Sequence, residues 1–291
     1  MIHTIDLHYH AGLERQPGLT LYDYLEHAQV TGRRVLGLTD HYNKYMAPKE
    51  QDPNALYSED QAGLAAYKEE IDSLKGSFPE LQLLFCPEIP PSCRLEAIPS
   101  EVLEMADYFI CEAAYPGDDS GENTDALVER IVELEAFRTR TGKECYIAHP
   151  FRSAVNRRLV KAPIEPWVTT MKPRRSDELD VAEVSHFFQL DIQQIAQAAA
   201  AHEVPLEING NTWERVRAVN LPAPFQLLLQ SFQILHSAAV QLVPGSDQHG
   251  FQKSIGRSGG PVPWEIFALL GVRAADIDFV ERVTHPSPEE D

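Results

Sequence analysis

Short apolar runs alternate with longer amphipathic stretches along the chain, which predicts strands and helices in turn. The first run, Ile2-His3-Thr4-Ile5-Asp6-Leu7-His8-Tyr9-His10, reads as a strand ending in a His-x-His pair. Thr20-x-x-Asp23 has capping-box spacing, and Leu21, Leu25 and Ala28 recur at helical intervals up to a stop at Gly32. Val35-Leu36-Gly37-Leu38-Thr39 is the second strand and delivers Asp40-His41. Ser58 caps a second helix, with Leu64, Tyr67, Ile71 and Leu74 at helical spacing before Gly76. Residues 81–86 and 107–111 read as the third and fourth strands, followed by Glu88 and Glu112 respectively. Thr124 opens a helix bearing Leu127, Val128, Ile131, Leu134 and Phe137, and Gly142 closes it. The fifth strand, 144–148, leads into His149-Pro150.

Residues 151–180 read as irregular, and an Ala- and Gln-rich helix follows over 191–201. The sixth strand is 204–209, a helix with an apolar face covers 225–238, and the last strand, 239–244, delivers Ser246-Asp247-x-His249. This rhythm predicts parallel βαβ units: an α/β fold of seven strands, with room for an extra one at 181–184, in a closed or nearly closed barrel. Without a low-complexity linker or repeat, the whole chain 1–291 reads as one domain. Its barrel core is 2–250, and 251–291 holds a closing helix at 264–270 and an acidic, disordered tail.

Composition narrows the functional classes. The chain is 43% hydrophobic, enough for a sizeable core, and no apolar run approaches the roughly 18 residues of a membrane helix. Met1 leads almost directly into the first strand, so no secretory signal is expected. The net charge of −19 disfavours binding to nucleic-acid duplexes or anionic membranes, but not an anionic small molecule handled through metal ions. Cys86, Cys93, Cys111 and Cys145 form no Cys-x-x-Cys pair, and three of them lie in or beside predicted strands. They read as buried reduced thiols in a cytoplasmic protein.

The candidate chemistry lies at strand ends. On an extended chain residues two apart point to one side, so His8 and His10 aim at one spot. His41, Glu88, His149, Asp247 and His249 stand just beyond other strands, at the C-terminal face where parallel barrels build their sites. Imidazoles and carboxylates without thiolates suit zinc, manganese or iron. Asp40 is placed to orient His41, to carry a proton, or to cap the turn after the strand. No Gly-x-Ser-x-Gly elbow or catalytic-cysteine signature offers a protein nucleophile.

Taken in order, Asp6-Leu7-His8-Tyr9-His10, Thr39-Asp40-His41, Glu88, Ala148-His149-Pro150, Glu207-Ile208-Asn209 and Ser246-Asp247-Gln248-His249 resemble the polymerase and histidinol phosphatase (PHP) superfamily. The resemblance implies a distorted (β/α)7 barrel holding two or three divalent ions and hydrolysing phosphate esters of small metabolites or nucleotides. It implies that His8, His10, Glu88 and Asp247 bind a first metal, that Glu88 bridges to a second held by His149, and that His41 and His249 hold a third. His41 thereby joins Asp40 as a candidate catalytic residue. Two positions depart from the pattern. Where a further His is expected after the first pair, Glu14 is available as an oxygen ligand, and where a His is expected after the fourth strand, the chain offers Cys111 and Glu112.

Between Arg152 and Arg175 seven cations face one acid, Glu165, a local reversal of sign beginning three residues after His149. Arg forks bind phosphate oxygens in pairs, so this stretch, and Arg152 above all, is the expected handle for an anionic substrate. Asn209 and Arg257 are further candidate substrate contacts. The departures keep open a degenerate metal-binding module with a regulatory or partner-binding role. His-x-His on a first barrel strand also keeps open an amidohydrolase-like hydrolase, although no Lys stands at the end of the fourth strand.

Overall fold

All six residues of the first strand are buried, which places it in the interior of the molecule. The computed structural model describes residues 2–12, 15–42, 61–117, 119–161, 163–171, 180–251, 262–273 and 276–285. In it, β1 (Ile5–His10) pairs in parallel with β2 (Val35–Thr39), and β2 with β3 (Gln82–Phe85). A second parallel sheet runs in the order β4 (Glu88–Ile89), β5 (Phe109–Cys111), β6 (Cys145–Ile147), β7 (Leu206–Asn209) and β8 (Leu242–Gly245). The near-continuous apolar runs read from the sequence become short strands buried along their length, as expected of parallel sheets covered by helices.

The two sheets touch at both edges without forming one continuous ladder. At one, Asp247 N donates to His8 O at 2.8 Å and His10 N to Gln248 O at 3.0 Å. At the other, Glu88 N donates to Asp40 O at 3.0 Å and Tyr42 N to Glu88 O at 2.7 Å. Between β3 and β4 the chain passes Pro87, which has no N–H for the neighbouring strand, so the strand expected over 81–86 ends at Phe85 and Glu88, expected to follow it, opens a separate short strand. This break accounts for an eighth strand. Residues 181–184, expected as a candidate extra strand, are helical instead.

The helices are α1 (Leu21–Val30), α2 (Gln61–Leu74), α3 (Ser100–Met105) and α4 (Ser120–Thr141), then α5 (Arg152–Val155), α6 (Pro166–Thr170), α7 (Val181–Phe188) and α8 (Ile192–Ala201). Beyond β7 come α9 (Gly210–Val219), α10 (Pro222–Ser237), α11 (Trp264–Leu270) and α12 (Asp278–Thr284). The Thr20/Asp23 capping box opens α1, while Ser58 lies outside the described residues. Asp119 caps α4, which starts at Ser120, four residues before the expected Thr124; it accepts from Gly121 N and Glu122 N, and Gly142 ends the helix at φ 69°. Asp180 and Glu183 form a second capping box, and this overrides the strand preference of Val181 and Val184. The stretch expected to be irregular, 151–180, contains α5, a π-helical turn over Asn156–Lys161, and α6.

The ends of the strands opposite the candidate ligands are closed by aromatic rings. The hydroxyls of Tyr108 and Tyr146 both donate to Leu7 O, at 2.6 and 2.8 Å. Gly37 leaves the room: a β-carbon there would lie 1.8 Å from the Tyr108 hydroxyl and 2.6 Å from Leu7 O. Phe279 of α12 stands edge-on to both tyrosines at 5.5 Å. The segment beyond residue 250, read from the sequence as lying outside the core, therefore contributes to it. The four cysteines are free and buried, and among the described residues no helix is long and apolar enough to cross a membrane.

Candidate metal centre

The strand ends bring together side chains from both sheets. His8 and His10 project from the C-terminal end of β1, and their Nε2 atoms face each other at 3.1 Å. Glu88, the first residue of β4, lies between them and two further imidazoles. Its Oε2 is 3.5 Å from His8 Nε2, 3.2 Å from His10 Nε2 and 3.1 Å from His41 Nδ1, and its Oε1 is 2.9 Å from His149 Nε2. Glu88 is wholly buried, and Oε2 accepts no well-directed hydrogen bond. Such an orphaned anionic oxygen among imidazole nitrogens fits a shared cation, and the donor set is one that divalent ions accept.

Among the described residues, three overlapping groups have donor atoms within 4.8 Å of one another: His8, His10 and Glu88; Glu88, Glu112 and His149; and His10, His41 and His249. The rings of the last group stack, with His10 3.8 Å from His249 and 4.7 Å from His41 between centroids. Asp247 flanks the two groups that contain His10: Oδ1 is 3.0 Å from His249 Nε2, 3.6 Å from His10 Nε2 and 3.9 Å from His8 Nε2. At the departure after the fourth strand, Glu112 reaches the site, 3.4 Å from His149 Nε2, while no group includes Cys111. Glu14 and Arg257 lie outside the described residues.

Burial and mutual charge set the protonation of these groups. Burial works against the charge on Asp247, but Arg152 and His249 hold it well below the usual carboxylate range. Glu88 is likewise held well below, since His41 and His8 outweigh its burial. Burial and the neighbouring His249 pull His10 down to about 3, leaving it a neutral donor. Burial also lowers His8, but Glu207 and Glu88 reverse the effect and raise it well above an ordinary imidazole.

Arg152, in the first turn of α5, spans two carboxylates. Nη1 donates to Asp247 Oδ2 at 2.9 Å and Nη2 to Glu112 Oε1 at 2.6 Å. Two further cations of the basic stretch expected to overhang the site, Arg157 and Arg158, do not follow it. Arg157 stacks on Tyr115 and donates to Gly117 O, and Arg158 pairs with Glu165. Lys172, Arg174 and Arg175 lie outside the described residues. Asn209 caps α9 through Thr212 N and points its amide at Glu207 Oε2, 3.1 Å away, with Asp247 Oδ2 at 3.5 Å. Asp40 accepts the His41 N–H at 2.9 Å, so it orients His41 through the backbone.

Some residues of the site were not singled out in the sequence. Asn211 donates to Asp247 Oδ2 at 3.2 Å, and Arg215 donates to Asn211 and Asn156. Arg215 is half-buried, and burial together with nearby Arg152 lowers its pKa. Both residues belong to α9, whose polar sequence gave no helical signal, but their positions just after Asn209 would have placed them at the face. A cavity of about 180 Å³ opens beside His149, Glu112 and Arg152, walled by Pro91, Ala113, Ala114, Tyr115 and Leu127.

No protein-family model and no curated protein matches the chain. Among solved structures it is similar to the histidinol phosphate phosphatase of Lactococcus lactis subsp. lactis, solved with zinc, L-histidinol and phosphate. The TM-score is 0.59 at 16% identity, over 94% of this chain and 95% of that one. At that identity the likeness is one of fold. Two other structures overlay only loosely. An aldolase of Thermotoga maritima, phospho-2-dehydro-3-deoxyheptonate aldolase, has TM-score 0.32 and 11% identity over 92% and 67% of the two chains. A broad-specificity endoglucanase of Clostridium longisporum has TM-score 0.34 and 9% identity over 97% of each.

Proposed function

We propose that the protein is a metal-dependent phosphoesterase of PHP type, built on a single distorted barrel, that hydrolyses small phosphomonoesters. The observation that carries this reading is the convergence of three overlapping His/Glu groups, from both sheets, on one face. The resemblance of the fold to a histidinol phosphate phosphatase that binds zinc and phosphate supports it.

In this reading His8, His10, Glu88 and Asp247 hold one ion, Glu88, Glu112 and His149 a second, and His10, His41 and His249, with Glu14 in reach by sequence, a third. Divalent ions bound there lower the pKa of water from about 15.7 toward about 7 and offset negative charge on a phosphoryl group. Arg152 supplies a fixed cation beside Asp247 and takes a phosphate oxygen, with Asn209, Asn211 and Arg215 behind it and Arg257 a further candidate contact. Asp40 keeps His41 aimed into the site. The small cavity receives the alcohol part of the substrate. Its volume is close to the roughly 150 Å³ that accommodates a benzene ring, which favours a compact metabolite over a nucleotide. An amidohydrolase-like reading is less favoured, because the end of β5 offers Glu112 and no Lys.

The test is metal analysis of the purified protein together with rates on a panel of phosphomonoesters after loading with zinc, manganese or iron. The expected result is about two or three ions per chain and kcat/KM for compact substrates at least about tenfold above nucleotides, roughly one pocket's worth of discrimination. His8→Ala and Asp247→Ala should lose ions and turnover while keeping the fold. Full activity in metal-free His8→Ala protein would sink the mechanism. Bound ions with no turnover on any phosphoester would favour a metal-binding module instead.

A further inference from the structure

We propose that Glu207 is a positioning residue that sets two of the donor groups at once, the ring of His8 and the backbone of His149; this rests on the metal-dependent reading above. Glu207 lies on β7, is wholly buried, and belongs to none of the three donor groups. Its Oε1 is 3.0 Å from His8 Nδ1, and its Oε2 accepts the His149 N–H at 2.7 Å and the Asn209 amide at 3.1 Å.

A carboxylate facing those N–H groups can only accept. Nδ1 of His8 is therefore the nitrogen that carries the proton, and Nε2, which faces His10 and Glu88, keeps its lone pair for an ion. A carboxylate behind a ligating imidazole fixes tautomer and ring orientation in this way. The second oxygen acts on the backbone. His149 has φ 31°, in the left-handed region that a β-carbon disfavours, and the bond from its N–H to Oε2 anchors it there.

Strand β8 makes room for the carboxylate. A β-carbon at Gly245 would lie 1.8 Å from Glu207 Oε1 and 2.7 Å from His8 Cβ. Four strand ends, those of β1, β6, β7 and β8, thus meet at one side chain. The two groups containing His8 and His149 should weaken together when it moves.

Two variants move it differently. Glu207→Gln replaces an acceptor oxygen with an N–H among three donors, while Gly245→Ala displaces the carboxylate with its charge intact. Each is titrated with zinc and compared with His149→Ala by equilibrium dialysis with metal analysis. Nitrogen-15 spectra of histidine-labelled, zinc-loaded protein, in which the bound ion leaves a single proton on the ring, report which nitrogen of His8 carries it. His149→Ala should weaken one group only, whereas Glu207→Gln and Gly245→Ala should each weaken both groups by about 10- to 100-fold. His8 should be protonated on Nδ1 in the unsubstituted protein and become mixed in Glu207→Gln.

Unchanged zinc affinity in a folded Glu207→Gln protein, or His8 protonated on Nε2 in the unsubstituted protein, would overturn the proposal. The tautomer decides the matter if neither variant folds. Failure of the unsubstituted protein to bind any divalent ion would instead defeat the parent reading, and with it this one. Metal binding with an unmoved Glu207→Gln affinity defeats only the positioning role.

Discussion

Asp247 shows how densely single residues are used at this face. It has left-handed backbone at φ 54°, is wholly buried, and receives Arg152, His249 and Asn211 around one carboxylate. Arg152 is the partner whose chemistry is hardest to replace, because its planar fork spans Asp247 and Glu112 at once. A lysine there would be a point charge unable to hold both. Arg152→Lys should therefore lower kcat/KM for phosphomonoesters by about 10²-fold while leaving the fold intact, as read by initial rates and circular dichroism. An unchanged rate would remove Arg152 from substrate binding. Arg152 was legible from its nearness to His149 in sequence. Asn211 and Arg215 were not, because their relation to Asp247 exists only once α9 has been placed beside α5.

Among elements, the strands were read more readily than the connections between them. A buried strand shows itself as an apolar run whatever its neighbours, whereas α9 is polar and starts directly from the Asn209 cap with no linker. The Asp180-x-x-Glu183 box before α7 was present in the sequence, yet the β-branched residues that follow it read as a strand. Helix α12 carried too little pattern to be recognised, and its importance comes from where it docks. Phe279 is wholly buried against Tyr108 and Tyr146, and Arg282 holds Glu144 through Nε at 2.6 Å. Phe279→Ala should destabilise the protein by about 3–5 kcal/mol, measured as a lowered urea midpoint. A loss within about 0.5 kcal/mol, the range of ordinary surface substitutions, would show that α12 only rests on the surface.

For the molecule as a whole, charge and thiols were set by composition, and burial decides how the thiols behave. Burial pushes Cys111 up to about 12 and raises Cys86 and Cys145 well above a free thiol, so none of the three offers thiolate at neutral pH. Cys93 is raised by burial as well, with Arg130 opposing it. Native protein should leave Ellman's reagent unreacted over minutes, and all four thiols should titrate after denaturation. One rapid equivalent in native protein would place a cysteine at the surface, contrary to the fold.

The sequence by itself determined that strands and helices alternate, that the charge is strongly negative, and that His8, His10, His41, Glu88, His149, Asp247 and His249 each follow or end a strand. These are local properties: apolar runs, caps and the order of residues along one chain. Only the tertiary structure decided which of them face one another, because that depends on the order of strands across two sheets and on the break at Pro87. It also decided that Arg152 turns inward while Arg157 and Arg158 turn away, and that Glu207 stands behind His8. Contacts between residues 199 positions apart, such as His8 with Glu207, leave no periodic trace in a sequence and are fixed by packing alone.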